Sequence, residues 1–161
     1  MEALRDTFGL GIGKMRLHLV SREAPVGELV RGRIELDLDR VVEADRLTVA
    51  VIAMQRVVGV DFVRRGAPLS TRKLPVVKRE IELEADAIYR SGGYDFAIEV
   101  PVVNWGKPMG LPEGLAEVVG IVSAITTPVR FPLEWFVEGR LHRTWKIDLK
   151  ERVGITVEGA D

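Results

Sequence analysis

The sequence predicts an all-β domain: an antiparallel β-sandwich of about seven or more strands, with one short helix inserted near residues 112–125. Three observations carry this expectation. Apolar residues alternate with polar ones at period two through short Val/Ile/Leu-rich runs, as half-buried strands require. Gly, Pro and Asp separate those runs, supplying the backbone angles that turns need. One segment alone changes period, to spacings of three and four. The 161 residues suit one domain spanning 1–161, with enough chain to bury a core unaided by metals or disulfides. Strand spacing of this kind fits a sandwich or a barrel.

Taken in order, Met15, Leu17 and Leu19 alternate with Lys14, Arg16 and His18, giving one apolar and one wet face. The run meets Pro25-Val26-Gly27-Glu28, where proline presets one dihedral and glycine accepts a positive φ. A return strand follows, with Val30, Gly32, Ile34, Leu36 and Leu38 on one face and charges on the other, so the pair reads as a hairpin. From Arg46 to about Val58 both faces are apolar, which predicts a central strand covered on each side. Val77, Ile81 and Leu83 then alternate with Lys78, Glu80, Glu82 and Glu84. Gly92-Gly93 introduces Tyr94, Phe96, Ile98 and Val100, and the run stops at Pro101. Trp135, Val137, Gly139 and Leu141 mark the next strand; Val153, Ile155 and Val157 mark the last. Between them, Leu115, Val118, Val119, Val122 and Ile125 have helical spacing behind Pro112-Glu113, a good first helical turn. The same Val and Ile residues also suit a buried strand, and Gly120 weakens a helix.

Composition narrows function by exclusion. No cysteine is present, which removes disulfides, thiolate metal sites and cysteine nucleophiles. With 23 basic and 24 acidic residues, net charge −1, there is no global attraction to nucleic acid or an anionic membrane, although a local patch is compatible with that balance. The amino-terminal residues lack a signal-peptide pattern, and the most apolar stretch, Val118 to Ile125, is far below the ~20 residues a spanning helix needs. The expected location is the cytoplasm, with no transmembrane segment. Asn104 and Gln55 are the sole residues of their types, a depletion of thermolabile side chains common in heat-loving organisms.

Three stretches, in this order, resemble the arrestin-like family, in particular its amino-terminal sandwich and the short microbial relatives known as sporulation-control proteins. Lys14-Met15-Arg16-Leu17-His18-Leu19 followed by Pro25 to Gly32 is similar to the family's opening strand, Pro-Gly-Glu turn and Val-x-Gly strand start. Gly93 to Pro101 is similar to its aromatic-rich strand ending in proline, and Trp135 to Leu141 to a later strand, with Phe136 and Gly139 as departures. A longer departure is the apolar connection from Val102 to Pro132, where the family has a shorter loop. The resemblance covers about two-thirds of the chain. It implies an immunoglobulin-like sandwich, one rather than two, and an adaptor or scaffold role without naming a client.

The search for chemistry leaves few candidates. His18 and His142 would make a metal site only if both converged with a carboxylate such as Glu138. Neither is next to a plausible nucleophile, and Ser21, Ser70, Ser91 and Ser123 lack the nucleophile-elbow context. Gly9-Leu10-Gly11-Ile12-Gly13-Lys14 misses the P-loop spacing and has Met15 after its lysine, so it reads as a lead-in to the first strand. Glu80, Glu82 and Glu84 share one strand face at about 7 Å intervals, a solvated row rather than an acid pair across a cleft.

The leading candidate is basic. Arg64, Arg65, Arg72, Lys73, Lys78 and Arg79 fall within sixteen residues that contain no acid, in what reads as a loop and the start of the following strand. Guanidinium forks there could grip carboxylate or phosphate, or the charges could simply pair with Glu80, Glu82 and Glu84. In the resembling family the loop at this position is among those that touch partners. A second candidate surface is the apolar Val118 to Ile125 segment with Trp105, Met109 and Leu111. The expectation is a non-enzymatic domain with no cofactor that binds a protein partner, chiefly through the basic loop. A small-ligand, anion or metal-binding sandwich and a structural homo-oligomer joined through edge strands are the alternatives.

Overall fold

The computed structural model describes residues 12–59, 70–103 and 132–159. These carry eight strands: β1 Gly13–Leu19, β2 Glu23–Pro25, β3 Leu29–Leu38, β4 Val42–Gly59, β5 Ser70–Tyr89, β6 Gly92–Glu99, β7 Glu134–His142 and β8 Leu149–Glu158. They form two sheets, one of order β1-β3-β6 and one of order β2-β8-β7-β4-β5. Neighbours are antiparallel except β2 with β8. Among the described residues the protein is therefore all-β, with its sheets stacked as an open sandwich. The short helix expected near residues 112–125 lies outside the described residues.

The alternation seen in the sequence is the alternation of burial. Met15 and Leu17 of β1, Val30, Ile34 and Leu36 of β3, and Phe96 and Ile98 of β6 point inward from the smaller sheet. Leu47, Val49, Val51 and Ala53 of β4 meet them from the larger, with Trp135, Val137 and Leu141 of β7. β4 lies between β5 and β7 and is buried on both faces, since Thr48, Ala50 and Ile52 on its outer side are also buried. Gly139 of β7 sets the closeness of the layers: a Cβ there would stand 2.9 Å from Ile34 Cδ1 and 3.0 Å from Met15 Sδ. Glycine at this strand position lets the smaller sheet's side chains rest on β7 backbone.

Two local features refine the sequence reading. β1 and β3 pair from Gly13 with Leu38 to Leu19 with Gly32, but their connection is not a simple hairpin turn. The Ser21 hydroxyl bonds the amide of Glu23, and the chain crosses to the larger sheet, where β2 lies beside β8. Buried Ala24 anchors this short strand, and Pro25, having no N–H to donate, ends it. The expected turn follows: Glu28 N donates to Pro25 O at 3.2 Å, and Gly27 has φ +83°.

The second refinement concerns β5, which begins at Ser70 rather than near Val76. β4 continues past its contact with β7, which ends at the Met54–Glu134 pair. Beyond that point, among the described residues, Gln55–Gly59 and Leu74–Ser70 pair only with each other, as a two-stranded ribbon running past the end of β7.

Candidate functional site

Of the six basic residues singled out in the sequence, Lys73, Lys78 and Arg79 have described side chains, and these three stand apart. Arg64 and Arg65 lie outside the described residues. Arg72 is on β5 opposite Val57, and Lys73 is on the same strand opposite Arg56. Lys78 and Arg79, five and six residues further along β5, point to opposite faces of the sheet. Lys78 bonds Glu80 at 2.8 Å on the outer face. Arg79 turns inward at the sheet edge and reaches Glu99 of β6 at 3.4 Å, spanning the two sheets. Arg72 and Lys73 are thus on a strand, not in a loop, because the apolar and β-branched residues Val57, Val58 and Thr71 continue the ladder outward.

What the fold does bring together is Lys73 and Arg56, a residue that sequence reasoning missed. They are direct cross-strand partners, an arrangement that repels unless an anion lies between. Glu134, the first residue of β7, supplies it: its carboxylate accepts from Lys73 Nζ at 2.6 Å and lies 3.5 Å from Arg56 Nη2. The Lys73 hydrogen bond is the main reason its carboxyl is held below the usual range; desolvation opposes it, and Lys73 and Arg56 charge adds to the lowering. All three side chains are about half-exposed, so water or another anion can reach the pair. The base of the ribbon is therefore built to hold one carboxylate between two cations. The signal in the sequence was the register: had the ribbon been recognised, position 56 would have fallen opposite 73.

The candidate metal residues are dispersed. His18 projects from the outer face of the smaller sheet, where Nε2 is 3.2 Å from Glu35. His142 and Glu138 are on the outer face of the larger sheet, on the far side of the core. They are four residues apart on one strand, about 13 Å at strand rise, with Arg140 between. No group of three metal-ligating side chains converges among the described residues.

Instead, Glu138 belongs to an ionic row along β7 and β8. It is buried, and its two oxygens meet Arg140 at 3.0 Å and Arg152 at 2.5 Å. Arg152 also lies over the Phe136 ring, 4.3 Å from its centroid, which fixes the guanidinium plane. Asp148 continues the row, 3.8 Å from Arg140 and 3.6 Å from His142 Nδ1, while His142 Nε2 is 2.9 Å from the Thr48 hydroxyl. Burial is the first cause that lowers the His142 pKa, and Arg46 adds repulsion; Asp148 and Glu80 act in the other direction. Every acid in this row faces a base, so the row holds strands together.

The glycine-rich lead-in is described only from Ile12 onward. Gly13 has φ +121°, and a Cβ there would overlap Asp37 O, so that glycine serves the close approach of β1 to β3. The apolar segment Val118 to Ile125, with Trp105, Met109 and Leu111, lies outside the described residues.

No family model matches the chain, and no curated protein matches it by sequence. Solved structures do. The fold is similar to the crystal structure of Spo0M, sporulation control protein, from Bacillus subtilis, with a TM-score of 0.59 and 12% identity. The alignment covers 93% of this chain and 51% of that one, so this chain spans about half the length of the protein it matches. The likeness is a distant one of fold, and it supports the arrestin-like β-sandwich that the sequence motifs implied. Among the described residues no helix is long and apolar enough to cross a membrane.

Proposed function

We propose that this chain is a non-enzymatic, arrestin-like adaptor or scaffold domain of the cytoplasm that binds an acidic protein partner through its β4–β5 hairpin. The observation that carries the reading is the ribbon base, where Arg56 and Lys73 face each other and share the Glu134 carboxylate. A carboxylate or phosphate of a partner presents the same chemistry as Glu134 and can exchange with it, because pairs this exposed are held by little free energy. Arg64, Arg65 and Arg72 fall in the same hairpin's sequence and add to its positive charge. Similarity to half of a sporulation control protein supports a regulatory rather than a metabolic role.

The test is affinity capture from the native cell extract with the parent chain and with a variant carrying Arg64→Glu, Arg65→Glu, Arg72→Glu and Lys73→Glu. The expected result is a specific partner that the variant fails to recover and that raised salt releases, since exposed charge contacts are screened. Unchanged recovery of every partner by the variant would overturn the proposal.

A further inference from the structure

The ribbon marks one end of the sandwich; the other end carries a different surface. The β3–β4, β5–β6 and β7–β8 turns all emerge there, as the terminal pairs Leu38–Gly13, Val42–Tyr89 and Leu141–Leu149 show. These turns and the strand ends beside them present Val41, Ile88, Trp145 and Ile147, which are 51%, 68%, 95% and 50% exposed. Trp145 is the sole exposed aromatic among the large apolar side chains that face water in the described residues.

Trp145 is held outward by its backbone. Lys146 N donates to Arg143 O at 3.3 Å, closing a four-residue turn whose third position, Trp145, has φ +60°. That angle ordinarily falls to glycine or asparagine, and a bulky residue adopts it only where its surroundings enforce it. Here they do. The Thr144 hydroxyl donates to the Asp45 carboxylate at 2.6 Å, and Arg143 N donates to Asp148 Oδ1 at 3.0 Å. An indole placed in water by a strained, three-bond turn contributes no packing to the fold, so its use lies outside the molecule.

The chemistry of the neighbours indicates what it meets. A cation accompanies each apolar group in the chain: Arg40 beside Val41, Arg90 two residues after Ile88 at the end of β5, and Lys146 between Trp145 and Ile147. Asp45 and Asp148 are turned beneath the β7–β8 turn by the bonds just described, while Asp39 and Glu43 flank the β3–β4 turn. Apolar side chains on two turns and on the end of β5, each with a cation within two residues in the chain, suit a fluid interface better than a single cleft. Indole and aliphatic groups enter the acyl boundary while lysine and arginine remain at phosphate level.

The geometry points to this end of the sandwich as a peripheral docking surface for a phospholipid bilayer, with Trp145 as its anchor. This is independent of the basic hairpin. The experiment is co-sedimentation of the full chain with vesicles of phosphatidylcholine and phosphatidylglycerol, with tryptophan emission recorded in parallel. The parent chain is expected to sediment with the vesicles and its emission to shift to the blue. Trp145→Gly removes the indole and suits the positive φ, so its melting temperature should equal or exceed the parent's while vesicle partitioning falls at least about tenfold. Reversal of Arg40, Arg90 and Lys146 to glutamate should weaken sedimentation too. The four-fold hairpin variant described above should bind vesicles like the parent. Failure of the parent chain to sediment, or equal sedimentation of Trp145→Gly, would overturn the inference. Capture of a protein through Trp145 without vesicle binding would overturn it in favour of a protein cleft.

Discussion

On the outer face of the smaller sheet, His18, Arg33, Glu35 and Asp95 stand in water and pair across strands, His18 with Glu35 and Arg33 with Asp95. On the outer face of the larger sheet, Glu138, Thr48, Ala50 and Ile52 are buried, and Glu138 is reached by two arginines. β3 of the one sheet and β7 of the other both carry charges on the outward side of their alternation, so charge pattern alone does not say how much an ion pair matters. Position in the sheet does. β4 and β7 are interior strands of a five-stranded sheet, and long side chains from their neighbours close over them. In the three-stranded sheet β3 has an edge strand on either side, so His18–Glu35 and Arg33–Asp95 each join the middle strand to an edge, and both pairs stay open to water. Exposed pairs contribute at most about 1 kcal/mol, whereas a buried carboxylate deprived of its cations, or the reverse, costs several.

The sharpest test of that contrast is paired truncation. Glu138→Ala leaves Arg140 and Arg152 facing each other without their carboxylate and should destabilise by about 3 kcal/mol in urea unfolding. Glu35→Ala should cost less than about 0.5 kcal/mol. Equal effects would erase the distinction between the faces. The layer the two sheets share comes next. Gly139→Ala drives a methyl into Ile34 and Met15 and should cost about 2 kcal/mol, because both neighbours are themselves packed in the core.

A smaller effect separates the faces by pH. The His142 pKa lies below its ordinary value, so the folded chain binds fewer protons than the unfolded chain as pH falls through that range. Stability is then full above the ordinary histidine value of ~6.5 and declines as pH drops toward the folded pKa. His142→Asn should flatten the decline in the urea midpoint; an unchanged slope would remove His142 as its source. Glu80 acts in a lower window. Burial pulls its pKa upward, but Lys78, His142 and Arg46 outweigh that, so its contribution is lost only as pH falls below the ordinary carboxylate range.

The smallest effects come from glycines. On the smaller sheet a Cβ at Gly93 would meet the Arg33 guanidinium, the far end of a flexible side chain, so Gly93→Ala should cost about 0.5 kcal/mol as the Arg33–Asp95 pair shifts. Gly154 on the larger sheet has open space, and Gly154→Ala should gain about 0.5 kcal/mol through the unfolded state. Thermal melts of both variants resolve the difference in sign.

Much of the fold could be read before any coordinates. Met15 to Leu19, Val30 to Leu38, Tyr94 to Val100 and Trp135 to Leu141 bury the faces that their alternation assigns, because period two leaves no other way to hide one face. The doubly apolar run from Arg46 is an interior strand between β5 and β7 as far as Met54, with both faces buried at Leu47 to Ala53. β2 was not legible: three residues carry no periodicity, and its partner β8 is more than a hundred residues away. The candidate site was legible only in outline. Among the described residues, Lys73, Lys78 and Arg79, close in sequence, take three settings in space, since Lys78 and Arg79 point to opposite faces and Lys73 finds its neighbour across the ladder in Arg56.

The sequence by itself determined the class of fold, the inward face of each strand and the absence of thiol chemistry, all of which follow from residue type and period. Tertiary structure alone decided which charges are worth energy and which charges meet. Cross-strand register brought Arg56, Lys73 and Glu134 to one point, and depth in the sheet made Glu138 a buried anion while Glu35 stayed wet. Coulomb energy depends on distance and on the surrounding dielectric, and neither exists until strands that are distant in the chain have found their neighbours.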